Sequence, residues 1–159
     1  MIKLKDILSE LVAGRHDAKE TLQILRAMSK ELGVKVPAVK FSSSLPKVEG
    51  HRMFAHFDFD RNIIYINSAM NKNDDEFLKS LLHELFHAKQ LKKYGRKFKD
   101  EYEKEISIFQ AENPGEEDDW YKDNKFEIEA EKYAQKNWKK WKKIYDKAQM
   151  RKNPDNDGF

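Results

Sequence analysis

A chain of 159 residues with 39% hydrophobic content, including ten Phe, six Tyr and three Trp, is long and apolar enough for one domain with a real core, which excludes wholesale disorder. No apolar run approaches the roughly 20 residues of a spanning helix, and the charged opening MIKLKDILSE lacks a leader pattern, so a cytoplasmic protein is expected. The absence of cysteine excludes a disulfide scaffold, a cysteine-ligated zinc finger and a thiol nucleophile, and the net charge of +3 is too small to mark a generally nucleic-acid-binding surface.

The elements follow in chain order. Ile2, Leu4, Ile7, Leu8 and Leu11 recur at helical spacing and end near Gly14. A second helix is predicted from Asp17, with Leu22, Leu25, Met28 and Leu32 as its apolar stripe, Ile24 at its margin and Gly33 as its stop. These two make an N-terminal helical segment over residues 1–33, followed by a small sheet over 34–68. Val36, Val39 and Phe41 form an extended stretch, interrupted by Pro37 and closed by Ser42–Pro46. Residues 53–59 and 63–66 read as two strands, and Asp60-Arg61-Asn62 between them is turn chemistry, which predicts a hairpin.

No further strand signal appears. A helix is predicted over residues 74–94, opening at Asn73-Asp74-Asp75 and closing at Gly95, with Phe77, Leu78, Leu81, Leu82, Leu85 and Ala88 inward. Another spans 97–111, with Tyr102, Ile106 and Phe109 inward, until Asn113-Pro114-Gly115 breaks it. An acidic loop at 116–119 leads to a long helix over 123–151. Its expected apolar stripe is Phe126, Ala130, Tyr133/Ala134, Trp138, Trp141, Ile144/Tyr145 and Ala148, and a frayed tail covers 153–159. The fold class is therefore α+β: one domain over residues 1–152, with about three strands and helices before and after them.

The chemistry concentrates in His83-Glu84-Leu85-Phe86-His87, an H-E-x-x-H within a predicted helix. Residues four apart lie about one turn from each other, so both imidazoles project from one side and can share a metal ion. Glu84 is offset by about 100°, close enough to take a proton from a water activated there. A catalytic zinc needs a third protein ligand, yet no histidine follows position 87, and His16, His51 and His56 all lie upstream. The downstream candidate is a carboxylate in Glu127-Ile128-Glu129-Ala130-Glu131. Glu127 and Glu131 share a face there, Ala130 permits close helix approach and Glu129 points away, where a solvated salt-bridge role is expected. One of the two could bind zinc while the other accepts the second N–H of a ligating histidine.

On these motifs the chain resembles a minimal gluzincin metallopeptidase: helix, strands, an H-E-x-x-H helix, then a helix bearing E-x-x-A-[acidic]. The same order occurs in minigluzincins, in ImmA/IrrE-type peptidases and in the cores of membrane-bound prenyl-protein and heat-shock peptidases. The resemblance covers roughly residues 35–135 and implies a zincin-like fold that hydrolyses peptide bonds of a peptide or protein substrate with one Zn2+. By that resemblance His83, His87 and Glu127 are ligands, Glu84 is the general base, and Glu131 supports a ligating histidine. Ile63–Asn67, centred on Ile64, Tyr65 and Ile66, resembles the edge strand that receives substrate as an added strand. An oxyanion-stabilising residue has no clear counterpart, and Tyr65, His56, Tyr121 and Tyr133 stand as candidates. That gap supports the alternative of a catalytically silent or self-inhibited zincin-like binding module.

The positive charge is confined to one segment. Residues 132–152 carry nine basic side chains and only Asp146 as an acid. A DNA-associated protease using this helix is a further alternative, as is an amphipathic helix at anionic lipid. The favoured expectation is a solvated lysine face with an aromatic stripe packed inward.

Overall fold

The computed structural model describes residues 18–42, 54–67, 73–115 and 124–150. The predicted first helix, the 116–119 loop, the 153–159 tail, His16, His51 and Tyr121 lie outside these residues. The described elements are α1 (Ala18–Leu32), β1 (Ala38–Ser42), β2 (Ala55–Asp58), β3 (Ile63–Asn67), α2 (Asp74–Tyr94), α3 (Lys97–Glu112) and α4 (Lys125–Met150), an α+β arrangement. Among them no helix is long and apolar enough to cross a membrane.

Local chemistry accounts for most element ends. Gly33 adopts φ +67°, the left-handed conformation that stops α1. Ile24, Leu25, Met28 and Leu32 are its buried apolar residues, whereas Leu22 is only half-buried, so Ile24 and Leu22 exchange their expected places. Asn73 caps α2, its side-chain oxygen accepting the Glu76 N–H at 2.9 Å beside Asp74, Asp75 and Glu76 in the first turn. At the other end Gly95, φ +65°, donates its N–H to the Leu91 carbonyl.

The hairpin forms as expected. Asp58 Oδ1 accepts the N–H groups of Asp60 and Arg61, both at 3.0 Å, and Asn62 takes φ +54°, so the turn is held by its own polar side chains. β2 and β3 pair antiparallel with His56 opposite Tyr65, and β1 pairs parallel to β3 with Lys40 opposite Tyr65. The strand order β1-β3-β2 therefore places β3 in the middle. This corrects the reading of Ile63–Asn67 as an edge: hydrogen bonds on both sides occupy its backbone, and Ile64 and Ile66 are completely buried. Ile64, Tyr65 and Ile66 cannot receive an added strand. Among the described residues, the outer strands are β1 and β2.

One face of the sheet and the apolar sides of α1, α2 and α4 share a core containing Val39, Phe57, Ile64, Ile66, Phe77, Leu78, Leu81, Leu82, Leu85, Trp141 and Tyr145. Each inward residue predicted on α2 is buried. On α3, Phe109 is buried as expected and Phe98 joins it, fully covered. On α4 the stripe is buried at Phe126, Ala130, Ala134, Trp141 and Tyr145, but Ile144 is 41% exposed, because Tyr145 takes the inward position. Lys132, Lys136, Lys139, Lys143 and Lys147 lie on the exposed side, and Lys79 lies over the Trp138 ring at 4.6 Å. The aromatic side chains of α4 are thus committed to packing.

Candidate metal centre

Leu81, Leu82 and Leu85 anchor the inner side of α2 and leave His83 and His87 on the side facing α4. The two imidazole centroids lie 5.0 Å apart. His83, Glu84 and His87 bring potential ligand atoms within 4.8 Å of one another, close enough to hold a metal ion. Glu84 is 7% exposed, a buried carboxyl beside the histidine pair.

The helices run past each other in opposite senses, so that His83 faces Glu131 and Glu127, and His87 faces Glu127. His83 Nε2 lies 2.8 Å from Glu127 Oε2, and His87 Nε2 lies 3.3 Å from Glu127 Oε1. One carboxylate thus spans both Nε2 atoms. On the opposite ring edge, His83 Nδ1 lies 3.2 Å from Glu131 Oε2. His87 Nδ1 lies 2.8 Å from Gln90 Oε1. Of the predicted site residues, the structure brings together His83, Glu84, His87, Glu127 and Glu131. It separates Ile64, Tyr65 and Ile66, whose strand is closed on both sides. Glu129 is exposed as expected but is not merely solvated, since its carboxylate accepts a hydrogen bond from Gln90 Nε2 at 3.1 Å.

Electrostatics tie the group together. Burial disfavours charge on His83, yet hydrogen bonds to Glu127 and Glu131 and the negative charges of Glu84 and Glu127 outweigh it and push its pKa up to about 10. His87 is raised against the same burial by Glu127 and Glu84. Burial works to raise Glu127, but hydrogen bonds from both imidazoles hold its carboxyl well below the usual range. Hydrogen bonding to His83 likewise lowers Glu131. An ion-pair cluster this concentrated is a site where a divalent cation can replace protons between imidazole nitrogens and carboxylates.

The candidates for stabilising developing charge fare differently. His56 is exposed on β2, Tyr65 lies beside it on β3 with Lys40 near its ring, and Tyr133 stacks on Phe86 at 4.8 Å. None of these has a contact with the histidine pair. Among the described residues, the tyrosine that does is Tyr102 on α3, whose hydroxyl donates to Glu127 Oε1. Phe59, Phe98 and Phe126 surround its ring at 6.1, 6.0 and 6.0 Å, and His87 lies 6.2 Å away. Burial, then the Glu127 charge and this hydrogen bond, raise the Tyr102 pKa, so it remains a protonated donor. From sequence Tyr102 reads as a core residue. The missed signal is that a buried tyrosine hydroxyl requires a partner. Gln90 was missed as well, although it lies on the His87 side of the same helix, three residues on.

No protein-family model matches the chain, and neither the curated proteins nor the solved structures compared with it contain a significant match.

Proposed function

We propose that this chain is a zinc-dependent metallopeptidase with a minimal zincin-like fold of the gluzincin type. The observation that carries the reading is the orientation of the two imidazoles. Each turns Nδ1 to an oxygen acceptor and Nε2 to the single carboxylate of Glu127, which supports His83, His87 and Glu127 as ligands. Two imidazoles and a carboxylate on packed helices suit zinc, and cysteine is absent from the chain. Zinc bound there supplies Lewis acidity, activating a water near neutral pH and polarising a peptide carbonyl. Glu84 takes the proton of the attacking water and passes it to the leaving amine. Glu131 and Gln90 hold the imidazole planes. An extended peptide adding to the sheet would use the outer edge of β2, because Phe59 at its end lies 6.4 Å from the His87 ring.

The test is zinc content and peptide digestion in Glu84→Gln beside the wild type. Zinc retained at one equivalent with digestion abolished is the expected result. Digestion surviving in that variant excludes the mechanism. A second reading, a latent module, draws on Tyr102, which lies against Glu127 with aromatic rings around it. Digestion that begins only in Tyr102→Phe favours latency.

A further inference from the structure

Gln90 belongs to no catalytic pattern, yet it is 2% exposed and makes three polar contacts, two across to α4 and one within α2. Its Nε2 donates to the Phe126 carbonyl at 3.0 Å and to Glu129 Oε2 at 3.1 Å. Its Oε1 lies 2.8 Å from His87 Nδ1. The orientation of a glutamine amide follows from its partners. Here both neighbours of the nitrogen are pure acceptors, a carbonyl and a carboxylate, so the NH2 group must face them. The amide oxygen is thereby fixed towards His87. Because that oxygen only accepts, His87 Nδ1 must carry a hydrogen, and the nitrogen left for a metal is Nε2, the one 3.3 Å from Glu127 Oε1.

We propose that Gln90 is a positioning residue, which selects Nε2 of His87 for metal by accepting from Nδ1 and which refers that choice to the first turns of α4. The inference rests on the metal reading of the site. Its physical content is a relay: Phe126 O and Glu129 orient the amide, the amide orients the imidazole, and Glu127, between Phe126 and Glu129 in the same helix, supplies the carboxylate that faces the selected nitrogen. A shift of α4 along α2 would therefore disturb the carboxylate and the imidazole together. Glu131 holds the ring of His83 directly, but His87 has no carboxylate at its Nδ1, and the glutamine fills that role without adding another buried charge beside Glu84 and Glu127.

The experiment is zinc affinity, measured by competition with a chromophoric chelator, in wild type, Gln90→Leu and Gln90→Glu. Long-range proton–nitrogen spectra of the histidine rings in the zinc-loaded protein accompany it. Gln90→Leu is expected to weaken zinc binding about 10–100-fold. Gln90→Glu keeps an acceptor for His87 and should recover most of that affinity. A purely packing role predicts the opposite order, since the new carboxylate faces Glu129 and a carbonyl. The wild-type spectrum should show His87 metallated at Nε2 and protonated at Nδ1. Unchanged affinity in Gln90→Leu, or coordination through Nδ1, overturns the role of Gln90 while leaving the metal site standing. A wild-type protein that binds no zinc overturns the metal reading and this inference with it.

Discussion

His83 Nε2 and Glu127 Oε2 meet at 2.8 Å although 44 residues separate them in the chain. The contact joins the middle of α2 to the first turn of α4, so it exists only when the two helices are packed. Metal binding at this pair would bind the folded state alone and stabilise it by mass action.

His83→Ala and His87→Ala should each lose stoichiometric zinc, because each removes one of two imidazoles that face the same carboxylate. Elemental analysis of the purified variants checks this. One equivalent of zinc retained in either variant would show that the imidazole is not a ligand.

Glu127→Ala and Glu131→Ala should differ in degree. Glu127 faces both Nε2 atoms, whereas Glu131 touches only Nδ1 of His83 and its side chain is 57% exposed. Zinc affinity is expected to fall about 10–100-fold in Glu131→Ala and further in Glu127→Ala. Calorimetric titration with zinc ranks the two, and the reverse order would exchange their roles.

Protons and a bound metal would compete for this cluster, and the pKa directions give the sign. His83 is raised from 6.5 to about 10, so in metal-free protein its contribution to stability is complete below pH 6.5 and is lost as pH rises towards 10. Glu127 is lowered from 4.5, so its contribution is present above pH 4.5 and is lost as pH falls through its depressed value. Metal-free protein should thus be most stable between about pH 4.5 and 6.5 as far as this cluster decides it. Zinc affinity should move the other way above pH 6.5, rising about tenfold per pH unit for each proton displaced. Chemical denaturation with and without zinc at several pH values measures both trends. A zinc affinity flat between pH 6 and 8 would contradict the assignment.

Leu81 is completely buried on the inner side of α2, two residues before His83. Leu81→Ala should cost about 2–5 kcal/mol of folding stability through lost burial and a residual cavity. Asn73→Ala, which removes only the cap of the same helix, should cost about 1 kcal/mol. Urea unfolding of the metal-free variants separates the two, and equal losses would mean that the core around Leu81 collapses to fill the space.

What the sequence determined by itself is whatever short-range physics controls. The Asn73 cap, the Gly33 and Gly95 stops, the Asp58–Asn62 turn and the shared side of His83 and His87 depend on residues within one or two turns of each other. The pairing of Glu127 and Glu131 on one helix face is legible for the same reason. Only the tertiary structure decided the strand order, because β1 reaches β3 by a parallel pairing across 20 intervening residues that no local pattern encodes. That pairing closed both sides of Ile63–Asn67 and left β1 and β2 as the outer strands among the described residues. The packing of α3 and α4 about α2 decided the rest. It brought Tyr102 to Glu127, gave Gln90 its acceptors, and turned Tyr145 rather than Ile144 inward. Helical periodicity limits which residues share a face, but which face meets which neighbour is a property of the packed chain.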